Sequence, residues 1–122
     1  MILADTSIWI DYFRSGNEEM RKQLEIGSIV IHPFLIGELA LGSLGERTKT
    51  LAFLDGLPRV QVARLEEVRQ LIEARALYGQ GIGLTDAHLI ASSLITPSTR
   101  LWTKDKALRR VAEALGVHAS LA

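Results

Sequence analysis

Short apolar runs alternate with segments of helical period along this chain, and that alternation constrains its fold more than any other feature. Residues 1–4 are apolar and end at Asp5-Thr6-Ser7, after which Ile8, Trp9, Tyr12 and Phe13 recur at helical spacing. A buried strand feeding a helix fits this, with Thr6 or Ser7 as the N-cap. Residues 18–26 read as a polar helix stopped by Gly27, and 28–31 as a strand. Pro33 suits the first turn of a helix reaching about Gly42. Residues 46–54 are helical, 60–62 a weak strand, and 65–78 the longest amphipathic stretch, broken by Gly79, Gly81 and Gly83. A helix over 85–94, a strand over 100–103, a helix over 104–115 and a last edge strand over 117–119 complete the pattern. It predicts an α/β fold with a central parallel sheet of four to five short strands and helices on both faces.

The chain's 122 residues are enough for one domain. Hydrophobic residues at 48% and charged residues at 23% allow a real core and exclude intrinsic disorder. Fourteen Lys+Arg balance fourteen Asp+Glu, so any nucleic-acid contact must come from a local arrangement of charge. The absence of cysteine removes disulfide scaffolds, thiolate zinc sites, Fe–S clusters and cysteine nucleophiles. No signal peptide is visible, and no segment reaches the ~18 apolar residues of a membrane span. A cytoplasmic protein with no membrane partner is expected.

In open parallel sheets the functional crevice lies beyond the carboxyl ends of the strands. Asp5 ends the first strand and Asp105 follows the 100–103 strand, so both project onto one rim. Glu38 lies in an otherwise apolar helical segment, where a charge needs compensation. Asp86 opens the helix after the glycine loop. Each aspartate has a plainer role as a helix cap, and an arginine elsewhere would satisfy Glu38. Together they mean more. Four converging carboxylates repel one another unless some are protonated or divalent cations are bound, and oxygen-only ligands suit Mg²⁺ or Mn²⁺. Such a centre accepts phosphate oxygens and activates water for attack at phosphorus.

Four segments in order, Asp5-Thr6-Ser7 after the first strand, Glu38-Leu39-Ala40-Leu41-Gly42, Gly83-Leu84-Thr85-Asp86-Ala87-His88 and Thr103-Lys104-Asp105, resemble the signatures of PIN-domain nucleases. The small size makes the chain most similar to the VapC-type toxin ribonucleases of toxin–antitoxin pairs. Each segment is weakly specific; the ordered set is strong. The resemblance implies a single PIN domain over 1–122 with the three-layer PIN fold. It also implies a Mg²⁺- or Mn²⁺-dependent endoribonuclease, homodimerisation, and inhibition by a cognate antitoxin. Asp5, Glu38, Asp86 and Asp105 match the family's metal-binding catalytic acids, and Ser7 and Thr103 the hydroxyl positions beside them. The chain departs from the family in having Ala107 and Leu108 where an aromatic often follows the last acid.

Lys104 and Lys106 bracket Asp105 and are candidates for contacting substrate phosphate, among basic residues that include Arg14, Arg100, Arg109 and Arg110. Gly79-Gln80-Gly81-Ile82-Gly83 lacks the context of a phosphate cradle and reads as a helix–helix loop. His88, two positions past Asp86, should point away from it and serve packing or an interface; His32 and His118 carry no motif. Of Trp9, Tyr12 and Phe13, one or two belong to the core and the remainder to an exposed apolar surface. Attack by water would leave a 5′-phosphate and a 3′-hydroxyl. Two rivals stand beside this reading: a receiver-like, Mg²⁺-binding phosphoacceptor domain, which would want paired acids after the first strand, and a non-catalytic module that binds RNA or a partner.

Overall fold

A computed structural model describes residues 1–121. Its sheet is parallel, with β1 (Ile2–Ala4) in the centre, β2 (Ile29–Val30) on one side and β3 (Arg100–Trp102) on the other. Ile2 pairs with Ile29 and Arg100, and Ala4 with Trp102. Successive side chains of a strand point to opposite faces. Leu3, Ala4, Leu101 and Trp102 are all buried, so helices cover both faces, as the α/β reading requires.

The sheet has three strands rather than four to five. Two expected edge strands shrink to single parallel bridges, Ile31 with Arg59 and Leu101 with His118. Pro58 offers only its carbonyl, which accepts the Ile31 N–H at 2.8 Å, and the Gln61 N–H turns away to Thr96 Oγ1 at 2.9 Å. The pairing therefore ends after one bridge.

Among the described residues seven helices surround the sheet: α1 (Thr6–Ser15), α2 (Glu18–Glu25), α3 (Pro33–Ala40), α4 (Arg47–Asp55), α5 (Leu65–Ala74), α6 (Leu84–Ile95) and α7 (Lys106–Ala114). α1 packs on β1 and α3, and α6 on β3 and α5. α6 is buried from Ala87 through Ser93, on every side rather than along one stripe. The N-cap of α1 is Asp5, not Thr6 or Ser7: its backbone is extended where Thr6 is already helical, and its carboxylate accepts the Ile8 N–H at 3.3 Å. α7 likewise starts at Lys106, two residues later than expected, capped by Asp105.

The predicted 65–78 helix stops at Ala74. Leu77 N–H donates to Ile72 O at 3.0 Å and Ala76 N–H to Glu73 O at 3.4 Å, a Schellman closure with Ala76 at φ +51° and Leu77 buried beneath. An alanine holds the position that usually carries glycine, which hid the helix end from the sequence. Ala76→Gly removes the Cβ clash but raises unfolded-chain entropy, so a net gain of roughly 0.5–1 kcal/mol is expected in urea unfolding.

Candidate metal centre

Parallel pairing sends the carboxyl ends of β1 and β3 to one rim, where Asp5 and Thr103 follow directly. Asp5 Oδ1 accepts the Ser7 hydroxyl at 2.5 Å as well as the Ile8 N–H, and Oδ2 accepts the Thr103 hydroxyl. Each hydroxyl is aimed by a backbone donor: Lys104 N–H gives to Ser7 Oγ at 2.9 Å, and Asp105 N–H to Thr103 Oγ1 at 3.0 Å. With that acceptor side occupied, the single hydroxyl proton is directed at Asp5. Asp105 accepts the Leu108 N–H at 2.8 Å, and Asp86, half-buried in the first turn of α6, accepts the Gly83 N–H at 3.1 Å.

Burial raises the Asp5 carboxyl above its usual range against the hydrogen bonds from Ser7, Thr103 and Ile8, and repulsion from Asp86 adds to the rise. Asp86 is raised by burial, against the Gly83 bond, and further by Asp105. The three aspartates are thus linked by mutual repulsion. A divalent cation would relieve both burial and repulsion, and hard oxygen donors suit Mg²⁺ or Mn²⁺. Among the described residues no three His, Asp or Glu side chains already form a closed ligand set.

Glu38 behaves differently. The apolar neighbours Leu35 and Leu39 are buried, but Glu38 lies on the solvent side of α3, so its charge needs no buried partner. It lines a cavity of about 220 Å³ with Thr6, Ile10, Phe13 and Arg14, which runs from the residue after Asp5. The charge expected to need compensation in an apolar helix needs none, because helical periodicity turns this position outward.

Lys104 Nζ is bound to Asp11 Oδ2 at 2.8 Å, whereas Lys106 is exposed on the first turn of α7. Asp11, which carries no sequence signal, is held below its usual carboxyl range by Lys104 and then by Asn17. Arg100 opens β3, at the opposite end of the strand from Thr103, and donates to Gly116 O at 3.2 Å. The glycine loop packs on α7: a Cβ on Gly81, at φ +82°, would stand 3.5 Å from Ala107 Cβ, and Arg110 Nη2 donates to Gln80 O at 3.3 Å.

His88 is buried and packs at a tilt of 60° against Phe34, with ring centroids 4.6 Å apart, as a packing role predicts. His32, fully buried, caps α3, its Nδ1 accepting the Phe34 N–H at 2.9 Å. Burial, with repulsion from His88 and Arg59, pushes His32 down to about 4. The folded state keeps it neutral while the unfolded chain protonates near 6.5. Its contribution is therefore present above 6.5 and lost as pH falls toward 4, by roughly 3 kcal/mol. Urea unfolding from pH 7 to 4 checks this; His32→Asn, which keeps a capping oxygen, should flatten that limb.

A parallel sheet with an aspartate after its first strand, a second acid on α6 and a third after β3 is the architecture of PIN domains. The chain belongs to the PIN-domain family, whose model matches residues 2–114. It is similar to Ribonuclease VapC32 of Mycobacterium tuberculosis (strain CDC 1551 / Oshkosh), at 38% identity over 117 residues, covering 96% of this chain and 94% of the relative. The same figures hold for Ribonuclease VapC32 of strain ATCC 25618 / H37Rv. Membership sets the receiver-like reading aside. No helix among the described residues is long and apolar enough to cross a membrane.

Proposed function

We propose that this protein is a metal-dependent endoribonuclease, the toxin of a toxin–antitoxin pair, acting in the cytoplasm as a homodimer of single PIN domains and restrained by a cognate antitoxin. One observation carries the chemistry. Asp5, its oxygens oriented by Ser7 and Thr103, is coupled by repulsion to Asp86, and Asp86 to Asp105, at the carboxyl rim of the sheet.

Asp5, Asp86 and Asp105 would hold Mg²⁺ or Mn²⁺, with Glu38 approaching along the cavity wall it shares with Thr6. When bound, the divalent ion supplies Lewis-acid charge against the phosphate and acidifies water. The chain's own residues do the positioning. Ser7 and Thr103 aim their protons at Asp5, which keeps that carboxylate in one orientation and, with the Ile8 N–H also on Oδ1, leaves an Oδ2 lone pair for a cation. Lys106, exposed next to Asp105 and outside the ion pair that occupies Lys104, would meet a phosphate oxygen there.

Incubation with mixed cellular RNA should give cleavage with Mg²⁺ or Mn²⁺ and none with EDTA, leaving 5′-phosphate and 3′-hydroxyl ends. Cleavage that persists in EDTA, or ends carrying a 2′,3′-cyclic phosphate, would overturn the mechanism. An absence of both cleavage and Mn²⁺ binding would favour the non-catalytic module.

A further inference from the structure

Ser7 and Asp11 stand four residues apart on one face of α1, and a single residue of the facing loop reaches both. Lys104 gives its main-chain N–H to Ser7 Oγ at 2.9 Å and its ammonium to Asp11 Oδ2 at 2.8 Å. Asn17 braces the same carboxylate oxygen, donating Nδ2 to Asp11 Oδ2 at 3.0 Å while its Oδ1 caps α2 at the Met20 N–H, 2.9 Å away. β3 ends at Trp102 and α7 begins at Lys106, so the residues between lie outside the regular pairing of either element. They include Thr103, which donates to Asp5, and Asp105.

We infer that Asp11 is a positioning residue of the metal centre, clamping the Thr103-Lys104-Asp105 segment onto α1 through the Lys104 side chain and so setting the distance between Asp105 and Asp5. The inference rests on the metal-dependent function proposed above. Without the Lys104 ammonium the segment meets α1 only at the start of the helix, through the Thr103 hydroxyl on Asp5 and the Lys104 N–H on Ser7, and can swing together with α7 about that end. The second attachment, one helical turn along, removes that freedom. Lys104 in this arrangement is a strut between two elements and not a phosphate ligand.

Mn²⁺ titration followed by the paramagnetic signal of the free ion tests this on the parent, Asp11→Asn, Asp11→Glu, Lys104→Met and the double variant Asp11→Asn/Lys104→Met. Asp11→Asn and Lys104→Met should each weaken Mn²⁺ binding about fivefold, the scale of a partly exposed ion pair. The double variant should be no worse than either, and Asp11→Glu should recover most of the affinity. Cleavage of a short RNA at limiting Mn²⁺ should lose kcat with KM for RNA unchanged. Parental Mn²⁺ affinity in Asp11→Asn, or a lower KM for RNA as the freed ammonium finds phosphate, would overturn the clamp. A parent protein that binds no Mn²⁺ would instead remove the metal-dependent function, and the clamp with it.

Discussion

Asp5→Asn is expected to leave the fold intact and to reduce RNA cleavage by about 10³-fold or more. The amide is nearly isosteric with the carboxylate. Its oxygen still accepts from Ser7 and the Ile8 N–H, and its NH₂ faces Thr103 Oγ1, whose hydroxyl turns to accommodate it. What disappears is a negative charge that is 4% exposed and repelled by Asp86, so the metal-free variant should melt no lower than the parent. Melting curves, Mn²⁺ calorimetry and a cleavage assay on one preparation read the three effects separately. Cleavage at the parental rate would take Asp5 out of the mechanism.

Trp9→Ala is expected to destabilise the protein by roughly 3–5 kcal/mol, a large part of the 5–15 kcal/mol typical of a small domain. Trp9 is fully buried on α1, stacked on Phe13 at 5.6 Å between centroids, with Tyr12 edge-on at 6.1 Å and Phe53 of α4 edge-on at 6.3 Å. Removing it leaves a cavity under the helix whose cap is Asp5. Phe13, 37% exposed, should cost under about 1.5 kcal/mol on truncation to Ala, since much of its ring already faces water. Urea unfolding of both variants distinguishes a buried anchor from a rim contact. Equal losses would mean that the burial assigned to α1 is wrong.

That Asp5, Asp86 and Asp105 sit at element boundaries is legible in the chain, because each boundary has a recognisable signature: an apolar strand before Asp5, a glycine loop before Asp86, and Thr103 before Asp105. Strand-to-helix junctions are local, and local patterns survive into the fold. The environment of Glu38 is not legible in the same way. An acid among apolar residues looks buried in one dimension, whereas a helix presents its residues to every direction, and Glu38 points outward. The end of α5 carries no sequence signal either: Ala76 takes a left-handed conformation that its residue type does not announce. The sheet was over-counted because apolar composition at 60–62 and 117–119 says nothing of whether a neighbour's backbone lies alongside.

Order, type and boundary chemistry of the elements follow from the chain itself, since helical period, strand alternation and capping act over a few residues and need no distant partner. The pairing of Lys104 with Asp11, the burial of His32 and the repulsion of Asp5 by Asp86 arise between residues far apart in sequence. Their strength depends on distance and on how much water lies between the groups, and both are set only when the parallel sheet closes.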